Sequence, residues 1–213
     1  MSDSWHKNKR NKNREDIITA GRKLFLKHDF VNVNIKDICN LAGVSRVTFY
    51  KHFKSIDELI FEVQIDILNN MTDFIISRDD VQASGIERLK MVLNAWVDYA
   101  KEYKEQMKFI VLFDLYYDRN EKVNCMYEKF IGEENDKDFL HSIVIRGIED
   151  KTLKPDLDST KTEYYVYQTI TGVIQRMSYT RLPIKYGVVS FDEIADSVVE
   201  MIISSVINSN HNQ

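Results

Sequence analysis

Turn-forming residues are scarce in this chain: 7 glycines and 2 prolines among 213 residues. A many-stranded β-sandwich needs turn chemistry about every ten residues, so this scarcity excludes it and leaves long helices as the default reading. Cysteine is equally sparse. Cys39 and Cys125 lie far apart with no CxxC or Cys/His spacing, which supports neither a disulfide framework nor a zinc module. Both are read as reduced thiols, and no metal or cofactor is expected. No run of about 18 uncharged apolar residues occurs, and the start of the chain lacks the apolar stretch of a signal peptide, so a soluble, cytoplasmic protein with no membrane partner is expected. The five histidines, His6, His28, His52, His141 and His211, are scattered. With no HExxH, GxSxG, phosphate-loop or dinucleotide glycine pattern beside them, an enzyme is not expected.

What the chain does have is core material and a lopsided charge. Apolar residues make up 44% and aromatics 11%, enough to bury a real interior. The formal net charge is −4, yet residues 1–54 hold 12 Lys/Arg against 5 Asp/Glu, net +7, leaving 17 against 28, net −11, for the rest. A basic head on an acidic body suits a protein of which only the head meets a polyanion, and nucleic acid is the leading candidate. Five of the head's cations fall between Lys7 and Arg14. That segment, read as part of a flexible basic arm over residues 1–13, would add phosphate contacts, enter a minor groove, or act only as a solubilising tail.

The head then reads as three helices. Over residues 16–28, Ile17, Gly21, Leu24, Phe25 and His28 recur at helical spacing. Residues 28–34 break that pattern, and Asn34 is placed to cap a second helix with Asp37 three positions on. Ile35, Ile38 and Leu41 form its buried stripe. Ala42-Gly43-Val44-Ser45 then turns the chain: glycine tolerates a left-handed backbone, and Ser45 caps a third helix expected over residues 46–53. Two short helices joined by such a turn predict a helix-turn-helix, whose second helix lies in the major groove.

Leu24-Phe25, Phe30, Ile35, Asp37-Ile38, Ala42-Gly43-Val44-Ser45, Thr48, Tyr50, His52-Phe53 and Leu59 resemble the DNA-binding signature of the tetracycline-repressor (TetR) family of bacterial regulators. The resemblance is strong over residues 14–60, about a quarter of the chain. Asp29 stands where that family usually has glycine, Cys39 where it usually has alanine, and Val47 where a small residue is common. The resemblance implies that Arg46, Thr48, Tyr50, Lys51 and His52 lie on or beside the surface facing double-stranded DNA. It likewise puts Asn34 and Ser45 at helix starts near phosphate, and packs Phe49 and Phe53 inside.

Downstream, Leu59-Ile60, Val63, Ile67, Met71 and Phe74-Ile75 predict one long helix leaving the head, a natural transmission element. A linker over residues 78–85 follows, then a helix through Leu89, Leu93, Trp96-Val97 and Ala100, and further helices near residues 105–117, 121–132 and 137–150. Pro155 marks a break before a helix starting near Asp158. Residues 164–181 carry two apolar stripes, one through Val166, Ile170, Val173 and Met177 and the other through Tyr167, Ile174 and Ser178. A helix buried on two sides suggests one side against its own body and the other against a partner chain, the alternative being burial of both inside one monomer. With the terminal helix it gives a homodimer interface of Tyr167, Ile174, Val198, Met201 and Ile202, the mode the resemblance also implies. The resemblance further implies an effector cavity, and the aromatic-rich middle of the chain suits an apolar or aromatic small molecule. Phe74, Trp96, Tyr99 and Phe113 are the candidate lining, together with Tyr117, Phe139, Tyr165 and Gln168. The sequence thus predicts an all-α chain of about nine or ten helices: an arm over residues 1–13, a helix-turn-helix domain over residues 14–54, and an effector-binding and dimerisation body over residues 55–213. The function it predicts is a ligand-released repressor on a palindromic operator. The alternative is a DNA-binding protein of the same kind that acts through a protein partner without a small ligand.

Overall fold

A computed structural model describes residues 2–117, 121, 123, 125, 126, 139–179 and 189–209, with side chains from Asn11 onward. Every regular element among these residues is helical. In chain order they are α1 (Ser2–His28), a single 3-10 turn (Phe30–Asn32), α2 (Ile35–Ala42), α3 (Arg46–Tyr50), α4 (Ile56–Ile76), α5 (Gly85–Glu102), α6 (Lys104–Tyr117), α7 (Phe139–Glu149), α8 (Ser159–Tyr179) and α9 (Phe191–Val206). Nine α-helices over the described residues match the all-α expectation, and none of them is long and apolar enough to cross a membrane. The helix expected over residues 121–132 lies mostly outside the described residues.

The chain forms two compact units. The first comprises Met1–Asn70 and Phe109–Tyr127, the second Met71–Lys108 and Glu128–Gln213. The boundary read from charge, after Lys54, therefore differs from the boundary of packing, because most of α4 and most of α6 belong with the head.

In the first unit, Ile17, Phe25, Ile38, Phe49, Leu59, Val63 and Ile67 are almost completely buried. Gly21 lets α1 approach α4, since a Cβ there would stand 2.9 Å from the Leu59 side chain. Phe109 packs its ring against Phe30 at 5.4 Å and Phe25 at 6.3 Å. Two ion pairs, Arg14–Glu62 and Arg22–Asp66, each at 2.7 Å, tie α1 to α4 at the rim. Helix α1 starts at Ser2 and not near residue 16 as the amphipathic pattern suggested, so the basic segment is a helical extension and not an irregular arm. Its Lys and Arg residues are good helix formers and no glycine or proline interrupts it, so elongation from the packed half costs little.

The second unit rests on a close helix crossing. Gly85 opens α5 directly against Gly147 of α7: a Cβ on Gly85 would sit 2.1 Å from the Gly147 Cα. The α5 start is satisfied from the same neighbourhood. Gly85 N–H donates to Asp150 Oδ2 at 2.7 Å and Ile86 N–H to Thr152 Oγ1 at 3.1 Å, using backbone donors a helix start leaves free. Arg88 holds Asp79 bidentately at 3.0 and 2.7 Å, closing the segment expected as a linker. A lone antiparallel bridge between Leu153 and Ile207 joins the residues before Pro155 to the end of α9. Helices α8 and α9 pack on each other and on α5, burying Val166, Ile170, Ile174, Val198 and Ile202.

Candidate nucleic-acid interface

The geometry of the head follows from three local devices. Asn34 takes extended backbone and its side chain accepts the Asp37 N–H at 3.1 Å, starting α2. At the other end Gly43 adopts φ 66°, ψ 28°, and Val44 N–H returns to the Cys39 carbonyl at 3.0 Å. Nothing lies within 4 Å of a Cβ built on Gly43, so glycine is required by the dihedral and not by space. Ser45 then accepts the Thr48 N–H at 3.0 Å, and the two hydroxyls lie 3.0 Å apart. The sequence expected all three devices because caps and left-handed turns are set within a few residues.

Helix α3 is shorter than expected, Arg46–Tyr50 in place of residues 46–53, with its last turn tightened: His52 N–H and Phe53 N–H both reach the Phe49 carbonyl, at 2.9 and 3.0 Å. Its two faces are sharply divided. Phe49 and Phe53 are buried and pack ring to ring at 5.7 Å. Arg46, Val47, Tyr50 and Lys51 are exposed, with Val47 at 69% and Tyr50 at 55%. Thr48 and His52 are half-buried at the sides, and Asn34 and Ser45 lie exposed at the starts of their helices. Arg46, Val47, Tyr50 and Lys51 thus make the outward side of α3 and its end, and the Val47 methyls suit apolar contact with a base edge. In chemical terms a guanidinium such as that of Arg46 can read guanine or bind phosphate, an ammonium such as that of Lys51 can neutralise phosphate, and hydroxyls and helix starts can position a nucleic-acid backbone. Burial pushes the Cys39 thiol up, against the opposing influence of Arg46; a buried protonated thiol is structural, not reactive. Among the described residues no cluster of His, Cys, Asp or Glu could hold a metal ion.

The candidate effector residues are distributed less simply. In the second unit Phe74 packs edge-on against Tyr99 at 5.5 Å and Tyr103 at 5.9 Å, and the Tyr99 hydroxyl donates to Gln106 Oε1 at 2.5 Å. Trp96 is buried edge-on to Tyr167 at 5.9 Å, and its Nε1–H has no hydrogen-bond partner among the described residues. Phe139 is half-buried at the start of α7. Tyr165 and Gln168, expected inside, are exposed on α8, because the helical phase that buries Val166, Ile170 and Ile174 turns them outward. Phe113 and Tyr117 belong to the first unit, where Phe113 meets Phe61 and the Tyr117 hydroxyl donates to Asp57 Oδ1 at 2.7 Å. Gln64, not singled out in the sequence, is fully buried with neither amide atom partnered among the described residues; only its polarity between Val63 and Ile67 could have marked it.

The dimer candidates divide in the same way. Ile174, Val198 and Ile202 are buried within the chain itself, and Tyr167 is partly covered by Trp96. Met201 is exposed at 62%. The outward side of this helix pair is carried by Tyr164, Tyr165, Gly172, Tyr179, Met201 and Ser204.

Residues 17–63 match the family of bacterial regulatory proteins, tetR family. An HTH-type transcriptional regulator of Staphylococcus aureus is 28% identical over 139 residues, covering 55% of this chain and 72% of that protein. A transcriptional regulator from Saccharomonospora viridis, solved in complex with choline, shares the fold with a TM-score of 0.73 at 17% identity, over 92% of this chain and 97% of that one. The fatty acid degradation regulator FadR from Bacillus halodurans has a TM-score of 0.65 at 16% identity, over 89% and 94%. The segment that matches the tetR family of bacterial regulatory proteins is the one that builds the left-handed turn at Gly43 and the outward face of α3, and the chain shares its fold with solved tetR-family regulators over nearly its whole length.

Proposed function

We propose that the protein is a repressor that binds a palindromic operator as a homodimer and is released by an apolar or aromatic small molecule held in its second unit. The observation that carries this reading is the division of α3: an exposed face of Arg46, Val47, Tyr50 and Lys51 backed by the buried Phe49 and Phe53. Such a helix presents one base-reading surface per chain, and a two-fold dimer presents two. The exposed tyrosines of α8 with Met201 of α9 supply the surface for the second copy. Interface cores favour tyrosine and methionine, which gives this patch its role. For the ligand, the aromatic cluster of Phe74, Trp96, Tyr99, Tyr103 and Tyr167 offers apolar contact, and the unpartnered Trp96 Nε1–H asks for a ligand acceptor. The choline found in the relative of the same fold supports a small organic effector.

Selection of binding sites from random duplexes tests the DNA half. The expected product is an inverted repeat whose half-site centres lie about 34–36 Å, or a multiple of that, apart. A non-repeated site would overturn the dimeric reading. Calorimetry of a compound that releases DNA tests the other half. Operator DNA must weaken that compound's binding by the same factor by which the compound weakens DNA binding, about 1.4 kcal/mol for a tenfold release. Equal ligand affinity with and without DNA would overturn induction.

A further inference from the structure

We propose that the N-terminal extension of α1 is a second DNA-binding element, a helical rail that grips phosphates flanking the half-site read by α3. This inference rests on the DNA-binding reading of the head and adds to it a contact outside the helix-turn-helix. Three observations carry it. The segment from Lys7 to Lys12 contains Lys7, Lys9, Arg10 and Lys12, and no acidic residue occurs between Asp3 and Glu15. It is part of one continuous helix from Ser2 to His28, and at its described end Asn11 and Lys12 are exposed. Its root is fixed beside the reading helix: Arg14 pairs with Glu62 at 2.7 Å and lies over the Phe53 ring at 5.4 Å. Phe53 in turn packs on Phe49 of α3. Arg14 is therefore engaged in the fold, and the cations beyond it start from a point next to the groove-reading surface.

Helical form decides the mode of contact. An α-helix is about 10–12 Å across and the minor groove of B-DNA about 6 Å wide, so a helical extension does not enter that groove as an extended arm does. The twelve residues from Ser2 to Asn13 span about 18 Å at about 1.5 Å per residue, the rise of roughly five base pairs at about 3.4 Å per phosphate along one strand. Contacts of this kind are independent of sequence and act by releasing condensed counterions.

The test uses fluorescence anisotropy of the full-length protein on a labelled random-sequence duplex, titrated at several salt concentrations, so that no operator need be known. Relative to wild type, the variant Lys7→Gln, Lys9→Gln, Arg10→Gln, Lys12→Gln is expected to bind at least about tenfold more weakly at low salt. Its dependence of log K on log salt should be shallower by about 0.9 for each cation that meets a phosphate. An unchanged affinity and slope would overturn the rail while leaving the DNA-binding reading intact, whereas a wild-type protein that binds no duplex would overturn both. A second variant, Asn8→Gly with Asn11→Gly, keeps every cation but loosens the helix. It is expected to bind several-fold more weakly, with binding restored by alanine at the same two positions. Wild-type affinity in the glycine variant would show a flexible tether and overturn the helical mode.

Discussion

Asp29 holds φ 57° and ψ 135°, a backbone region costly for any residue with a Cβ, at the position where the family pattern has glycine. Strain of about 1–3 kcal/mol there exceeds the roughly 0.5–1 kcal/mol by which glycine loosens the unfolded chain. Asp29→Gly is therefore expected to raise the melting temperature by a few degrees, as scanning calorimetry would show; a lower value would mean that the carboxylate supports the turn more than the dihedral harms it. The outward face of α3 invites a different separation. Lys51→Gln should weaken binding on all duplexes alike and flatten the salt dependence by about 0.9 per subunit, whereas Arg46→Ala should narrow the gap between the selected site and random DNA by about 1–3 kcal/mol if the guanidinium reads a base. Uniform losses from both substitutions would place Arg46 on phosphate. At this scale the sequence was informative wherever a residue's role is settled by its neighbours in the chain: the Asn34 and Ser45 caps, the Gly43 turn, and Phe49 and Phe53 at a four-residue spacing. It was silent where the role is settled by residues distant in sequence, as for the unpartnered amide of Gln64 and the ion pair that fixes Arg14.

Helix existence was legible and helix surroundings were not. The spacing of apolar residues located α4, α5, α6, α7, α8 and α9 to within a few residues, because period alone reveals an amphipathic helix. The apolar pattern of α8 suggested two buried sides, yet Val166, Ile170 and Ile174 lie in one buried face against α5 and α9 of the same chain while Tyr167 stays exposed, and nothing in a periodicity distinguishes an intramolecular neighbour from a second copy. Glutamate at Val198 or Ile202 would therefore disrupt the unit's own core. The proposed dimer interface is instead addressed by Tyr165→Glu with Met201→Glu, which is expected to yield monomers with unchanged helical circular dichroism; dimers persisting at micromolar concentration in sedimentation would relocate the contact. The crossing of α5 and α7 is equally hidden in the sequence, since Gly85 and Gly147 each look like isolated glycines. Gly85→Ala would drive a methyl group into the Gly147 backbone at 2.1 Å, with an expected cost of about 3 kcal/mol, read as a lower midpoint in urea unfolding. A shift under about 0.5 kcal/mol would mean that the two helices separate freely.

On the scale of the whole molecule, charge and packing divide the chain at different places. Net charge changes sign after Lys54 because the polyanion-facing part needs cations, while the packed unit around that part runs to Asn70 and takes in residues from Phe109 onward. Leu59, Val63 and Ile67 of α4 and Phe109 and Phe113 of α6 are buried in that unit, so residues 1–54 hold only part of the core they pack around. A fragment of residues 1–54 is expected to show little helical circular dichroism beyond that of a short basic helix, and no cooperative thermal transition; a sharp transition would show that the three head helices suffice. The consequence reaches beyond folding to inheritance. A reading head that borrows its interior from α4 and α6 is no exchangeable cassette. A chimera joining this head to a relative's body at the end of α3 would lose the head's support, and the specificity of the head must then change within one co-adapted scaffold instead of being shuffled between lineages.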